Sequence, residues 1–236
     1  MEGPPSKQPQ ARPLQEALRA ALSPELDIIR PLGEGTTSRV YLARDTGLGR
    51  TVAVKVLQPE RAGSEGFARF EREARAVAAI EHPNVVGVHR FGRLPDGTPY
   101  FVMRHAHGRS MSERLQGEGP LPLVEVRAII ANIAGALAAA HAHGVVHRDV
   151  RPANIFWDSA TGQALIGDFG VAALTEEWPR EDARRLTRTG ELLGTPRYAS
   201  PEQLRGDPVD DASDVYSLAL VAHELLTGRV PGERNS

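Results

Sequence analysis

The sequence predicts an α+β fold in two lobes: a small antiparallel β-sheet lobe with one main helix, then a larger, mostly helical lobe. Three observations carry this. Short strand-like runs, "LDIIRPLGEG", "SRVYLARD" and "TVAVKVL", crowd residues 26–57 and are parted by glycine and charged turns, as in an antiparallel meander. One helical pattern follows them, with Phe67, Phe70, Ala74 and Val77 at helical spacing. After about residue 108 the character becomes helical, led by "LVEVRAIIANIAGALAAAHAHG".

The elements follow in order. Residues 1–23 are rich in Pro and Gln and read as a disordered or mobile tail, with a short helix over Leu14 to Leu22. The small lobe spans 24–106. Its helix takes Ser64 as N-cap and ends near Pro83. Two further strands, "VVGVHRFGRL" and "PYFVM", are joined through the turn-like "PDG". The helical lobe spans 107–236. Its long helix is expected to be mostly buried and to stop at Gly144. Loop and short strands follow, then a polar stretch over 175–195, and a final helix from about Ser213 to Thr227 that ends at Gly228. A cleft between the lobes is the expected site.

Composition narrows the function. With 41% hydrophobic and 25% charged residues the chain is ordinary and globular. A net charge of −2 argues against a nucleic-acid partner. The absence of cysteine excludes disulfides, thiolate metal sites and a cysteine nucleophile. No run approaches the roughly 18 apolar residues of a membrane span, and the N-terminus lacks a secretory stretch. The expected location is cytoplasmic, including as the cytoplasmic part of a longer membrane-anchored protein. Of 28 basic residues only Lys7 and Lys55 are lysines. Lys55 stands between valines, where either a snorkelling edge-strand lysine or a chemical need for a compact ammonium accounts for it.

Four stretches carry chemistry. In "LGEGTTSRV" Gly33 and Gly35 bracket a turn between strands, suited either to an ordinary hairpin or to backbone N–H groups approaching phosphate. A strand follows this turn, which disfavours a dinucleotide-binding βαβ unit. Lys55 lies about 20 residues on. Glu73, beside the apolar stripe of Phe70 and Val77, is its expected carboxylate partner, although for Glu73 taken alone a solvated helix glutamate is the simpler reading. The stretch "HRDVRPANIFWDSATGQALIGDFG" sets Asp149, Asn154 and Asp168 among apolar and small residues. A carboxylate can accept a hydroxyl proton, and a carboxylate with an amide oxygen suits Mg²⁺. Asp149 is therefore the candidate base, with Asn154 and Asp168 as metal ligands.

Taken together, "GEGTTSRV", "VAVK", "HRDVRPAN", "DFG" and "SPE" resemble, in order and spacing, the motifs of a protein kinase of the eukaryotic-like (Hanks-type) serine/threonine class found in bacteria, over about residues 26–231. The resemblance implies transfer of the ATP γ-phosphoryl group to protein Ser/Thr hydroxyls, with ATP and Mg²⁺ as cofactors. It implies that Leu32, Gly33, Glu34 and Gly35 cover the nucleotide and that Val40, Ala53 and Phe156 sandwich its base. Met103 becomes the gatekeeper, with Arg104 to Ala106 as the hinge. Lys55 pairs with Glu73 and touches phosphates, Asp149 serves the substrate hydroxyl, and Asn154 and Asp168 hold the metal. Thr195 contacts Asp149. Asp214 braces the catalytic loop, although an acid at a helix N-terminus needs no such role. His147 packs beneath Phe169. Thr187 and Thr189 are the expected autophosphorylation sites, with Arg148 suited to a phosphate on that segment.

The sequence also departs from the family pattern. Arg151 stands where lysine is usual in the catalytic loop, Ser38 replaces the third glycine, Arg104 a hinge acid and Ala219 a helix glycine. The helical lobe is expected to lack its last helices. The arginine partner of Glu202 is then missing, and apolar surface is left on the final helix. A catalytically weak or inactive nucleotide-binding scaffold is the alternative reading.

Overall fold

The computed structural model describes residues 11–34, 38–57, 75–169 and 197–231, with side chains from residue 14 onward. The chain divides into two compact units. One holds the residues up to 57 together with Val88–His105; the other holds 75–87 and the residues from Ala106 on.

The first unit is a five-stranded antiparallel sheet in the order β1-β2-β3-β5-β4, with β1 Leu26–Glu34, β2 Ser38–Asp45, β3 Thr51–Leu57, β4 Val88–Arg93 and β5 Pro99–Arg104. β3 is therefore central, and "TVAVKVL" is buried on both faces. Such a strand reads as a continuous apolar run instead of an alternating one. Asp45 closes the β2–β3 turn, its Oδ1 accepting from the Leu48 N–H at 2.9 Å while Gly49 adopts φ 68°. The "PDG" turn joins β4 to β5, with Asp96 Oδ1 accepting from the Thr98 N–H at 2.8 Å and Gly97 at φ 87°.

One face of this sheet carries Ile28, Tyr41, Ala43, Val52, Val54, Val56, Tyr100 and Val102, and α1 (Ala11–Leu22) covers it. Leu14, Leu18 and Leu22 recur at i, i+4, i+8 and form one ridge. Leu18 and Leu22 are buried, and Arg19 ties the helix to β1 through two bonds to the Ile28 carbonyl, at 3.2 and 3.1 Å. Burial of each leucine contributes about 1.5–3 kcal/mol. Residues 11–22 are thus a packed helix and not part of the mobile tail that the Pro/Gln composition suggests. The ridge decides the outcome because the sheet has an apolar face to receive it.

The second unit contains α2 (Met111–Glu118), α3 (Leu123–Ala142), a 3-10 turn at Pro152–Asn154, the hairpin β6 (Ile155–Asp158) with β7 (Gln163–Ile166), α4 (Pro201–Arg205) and α5 (Asp211–Thr227). A capping box opens α2, Ser110 and Glu113 each satisfying the other's backbone N–H. α3 packs against α5 and β7. Its buried residues, Val126, Ile129, Ile133, Ala136, Leu137 and Ala140, form one stripe. α3 was expected to be mostly buried; the stripe is buried, while Leu123 and Val124 are exposed. The sequence reading found no run near a membrane span, whereas α3 is long and apolar enough for one by length and composition alone; its stripe is part of this unit's core. α5 starts at Asp211, capped by Asp210, and ends at Gly228 in the left-handed conformation. Val215, Tyr216 and Leu226 on it are exposed.

Residues 75–87 group with this second unit, where the sequence reading placed all of 24–106 together. The pairing explains the difference. Val85 bridges to Ile166, and the Val86 N–H donates to the Ile166 carbonyl at 2.9 Å. The Ile166 N–H donates to the Asn84 carbonyl, and Asn84 Nδ2 to the Ala164 carbonyl at 2.9 Å. A third strand-like edge is thereby added to the β6–β7 hairpin. The helical pattern around Phe67 survives in the described residues as a helical turn over 75–78.

Candidate active site

The first unit presents one sheet face of interest, opposite the face that α1 covers. β-strand register places Val40 beside Lys55, and Ala53 beside Met103. Ala53 and Lys55, two residues apart, share a face. Lys55 is only 3% exposed on the central strand, which removes the snorkelling edge-strand reading. Arg104 pairs with Val52 and so has the opposite facing from Met103. Gly33 and Glu34 end β1 opposite Val40 and Arg39, and Glu34 Oε1 accepts from Arg39 Nη2 at 2.8 Å. Leu32 is exposed. Gly35 and Glu73 lie outside the described residues, as do Thr187, Thr189 and Thr195.

In the second unit, side-chain hydrogen bonds organise residues 147–169. Asn154 Nδ2 donates to both the carbonyl and the carboxylate Oδ2 of Asp149, each at 2.8 Å. The 3-10 turn at Pro152–Asn154 brings this about: Pro152 starts it, and the Asn154 N–H closes on the Arg151 carbonyl at 2.9 Å. The amide's Oδ1 keeps its lone pairs among the described residues. The Gly167 N–H donates to the Asn154 carbonyl at 2.9 Å, which fixes the strand leading to Asp168.

His147, fully buried, connects the same two segments. Its Nδ1 accepts from the Asp149 N–H at 3.2 Å, and its Nε2 lies 2.9 Å from the Gly167 carbonyl. A carbonyl only accepts, so Nε2 carries the proton. The ring also meets Phe169, with centroids 4.5 Å apart. Gly167 leaves little room for a side chain: a Cβ there would sit 3.2 Å from Phe156 and 3.3 Å from Val86.

Among the described residues two hold backbone conformations that cost energy outside glycine, Arg148 at φ 67° and Asp168 at φ 63°. They flank the hydrogen-bonded core at either end. Arg148 is held by both its backbone groups. Its N–H donates to Asp214 Oδ1 at 2.8 Å, and its carbonyl accepts from Gln203 Nε2 at 2.8 Å. The His147 N–H donates to Asp214 Oδ2 at 2.8 Å. Asp214 is thus a brace, beyond what the macrodipole at a helix start requires. Strain at such positions persists only where the surroundings over-determine it.

The residues after 196 add a second support. Ser200 caps α4 through a capping box with Gln203, the residue that also holds Arg148. Tyr198 donates to Glu224 Oε2 at 2.5 Å; burial, then that hydrogen bond, pushes the phenol well above its ordinary range. Glu202 was expected to be a buried carboxylate without its partner. Instead it is half-buried and accepts from the Ser213 hydroxyl, a bond that holds its carboxyl below the usual range.

Residues 26–236 match the protein kinase domain family. The chain belongs to the protein kinase family. It is 43% identical over 204 residues to the serine/threonine-protein kinase PknB of Mycobacterium leprae, covering 85% of this chain and 32% of that protein. It is 42% identical over 207 residues to the serine/threonine-protein kinase pkn2 of Myxococcus xanthus, covering 86% of this chain and 24% of that one. The chain therefore spans about a third or less of the length of these curated relatives. The crystal structure of the Mycobacterium tuberculosis PknI kinase domain is similar at a TM-score of 0.71 and 33% identity, covering 90% of this chain and 78% of that one.

The sequence motifs name most of the candidate residues that the structure describes, but two supports escaped them. His147 was read as packing only, whereas it also hydrogen-bonds both chemical segments. His141 carried no role in the motif reading, yet its ring lies 2.7 Å from the Asp214 carboxylate. Its separation of six residues from His147 on one helix-to-loop path was the available signal.

Proposed function

We propose that this chain transfers the γ-phosphoryl group of ATP to serine and threonine hydroxyls of proteins. The observation that carries the reading is the grip of Asn154 on Asp149, made by an amide whose remaining oxygen is uncommitted among the described residues. That bond aims the Asp149 carboxylate, which is exposed and able to accept a hydroxyl proton. Protein kinases as a family use ATP with a divalent metal. Asn154 Oδ1 and the Asp168 carboxylate offer the hard oxygen donors that suit Mg²⁺, which neutralises charge on the transferring phosphate when bound. Lys55 supplies a buried ammonium for the phosphates, with Glu73 as its partner. Val40, Ala53, Met103 and Phe156 take the base, Leu32 to Gly35 cover it, and Arg104 to Ala106 present backbone groups to it. Arg151 is the cation of the catalytic loop, and Thr195 completes the setting of Asp149. Thr187 and Thr189 are the proposed autophosphorylation sites, and a cytoplasmic location supplies the ATP.

The test is transfer of labelled γ-phosphate from ATP to a serine/threonine protein substrate. Wild-type chain is expected to transfer, and Asp149→Asn to lose about 10²–10⁴-fold. Nucleotide binding without transfer by the wild type would leave only a nucleotide-binding scaffold.

A further inference from the structure

A cavity of about 450 Å³ opens within the first unit, at the end of the sheet where the chain leaves α1 and enters β1. None of its lining residues is among those assigned above to the nucleotide or the transfer step. A volume of this order suits a small-molecule ligand. Its apolar wall is Leu26 and Val102, both buried members of the core under α1. Its polar wall comes from Arg50, just ahead of β3, and from His89 and Arg90 on β4.

The polar wall has more donors than it uses. A guanidinium offers five N–H groups. The ion-pair partner of Arg50, Asp45 Oδ2, is 3.8 Å from its Nε, beyond hydrogen-bond reach. Arg90 gives Nη1 to Glu25 Oε2 and keeps its other N–H groups, and the His89 ring makes no hydrogen bond among the described residues. The neighbouring polar groups are engaged: Asp45 Oδ1 takes the Leu48 N–H at 2.9 Å, and the Thr46 hydroxyl is spent on the Pro24 and Glu25 carbonyls, at 2.7 and 3.0 Å. Around the His89 ring cations prevail. Burial first, and then the Arg50 guanidinium, hold its pKa below the ordinary range; Asp45 opposes them, and Arg104 adds to the depression. Three donor side chains match the three terminal oxygens of a phosphate monoester better than the two of a carboxylate. We propose that this cavity binds a small organic phosphate monoester, its head taking N–H groups of Arg50, His89 and Arg90 and its apolar body lying against Leu26 and Val102.

The test follows the imidazole signals of the full chain by NMR, with the His89 signal assigned through its loss in His89→Gln. Phenyl phosphate is the probe, added with saturating ADP so that a nucleotide site is already filled. The His89 signal is expected to shift saturably, half-way at about 1 mM or below. Its titration midpoint moves to higher pH, because a bound anion favours the charged ring. Arg50→Gln weakens binding about tenfold or more. Arg205→Gln, which removes an exposed arginine of the second unit, leaves it unchanged. Inorganic phosphate, which has no apolar body, and benzoate, which has the smaller head, each bind at least about fivefold more weakly. A shift that never saturates marks a recess filled by solvent and overturns the proposal. Equal binding of inorganic phosphate, or an equal loss in Arg205→Gln, marks diffuse charge attraction and overturns it too, as does tighter binding of benzoate. If Arg50→Gln does not fold, Arg50→Lys keeps the charge without the fork and is expected to weaken binding about threefold or more; unchanged binding there is equally fatal. No readout uses phosphoryl transfer, so the outcome stands apart from the kinase reading.

Discussion

The two units hold their chemical groups by opposite means. In the first, Lys55 is placed by the sheet: a central strand, a register opposite Val40 and Phe101, and apolar neighbours on both faces. In the second, Asp149 and Asp168 sit in irregular backbone, and polar side chains place them: Asn154, His147, Asp214 and Gln203. A strand position is shared among many weak contacts, so individual neighbours are replaceable. A position held by a few directional bonds is defined sharply and fails sharply. Under the proposed function, that division suits a lysine whose charge reaches a phosphate and carboxylates whose lone pairs point.

The comparison breaks most visibly at Gly108. A Cβ there would lie 1.9 Å from the Trp157 carbonyl oxygen. That oxygen cannot retreat, because the Trp157 N–H is bonded to the Arg109 carbonyl and the Ser159 N–H to the His107 carbonyl. Gly108→Ala is expected to cost more than about 4 kcal/mol, among the largest single-residue effects. Equilibrium denaturation of the full chain checks this, with near-UV signals from Trp157 reporting the second unit. A loss under about 1 kcal/mol would show that the linking segment yields as readily as a strand.

The first unit sharpens the contrast at Leu18. Leu18→Ala deletes a fully buried side chain from the α1 ridge and is expected to cost about 2–5 kcal/mol. The effect is spread: transfer activity at low temperature stays near wild type, while the denaturation midpoint falls. Loss of activity in proportion to stability from this site, on the opposite face of the sheet from Lys55, would contradict the shared-contact account.

How far the sequence reveals each unit follows from the same physics. The strands of the first unit are written as local pattern, and each predicted run forms a strand, except that residues 85–87 of "VVGVHRFGRL" join the second unit. α1 was visible as a short helix, but its burial was not, because an amphipathic ridge in a Pro/Gln-rich setting declares its partner only once the sheet face exists. In the second unit the identities of Asp149, Asn154 and Asp168 are legible from motif order. What holds them is less so. The expected brace from Asp214 to the loop forms, yet the His141 bond behind it joins residues 73 positions apart, a relation that no local pattern encodes. The regrouping of 75–87 has the same origin, since the Val85–Ile166 bridge spans the whole of α2 and α3.

The smallest effect separates the units by pH. His89, on β4, has its imidazole held below the ordinary range by burial and then by the nearby Arg50 guanidinium. Its folded pKa is therefore lower than the unfolded value of about 6.5. Below that pH the unfolded chain binds the extra proton first, so stability falls as pH drops toward the folded pKa. Tyr198, in the second unit, has the opposite sign. Its folded pKa is raised, the unfolded phenol ionises first above about pH 10, and stability is lost as pH rises from there. His89 is exposed and Tyr198 is half-buried, so the slopes are modest. Melting temperature against pH is expected to sag at both ends, with His89→Gln flattening only the acid side and Tyr198→Phe only the alkaline side. If either substitution flattened both ends, or neither, the acid and alkaline sensitivities would not belong to separate units. The Tyr198→Phe chain carries the sharper reading, because it also removes the donor to Glu224 and so lowers stability at neutral pH, whereas the His89 ring makes no hydrogen bond among the described residues and His89→Gln leaves the neutral-pH value near wild type.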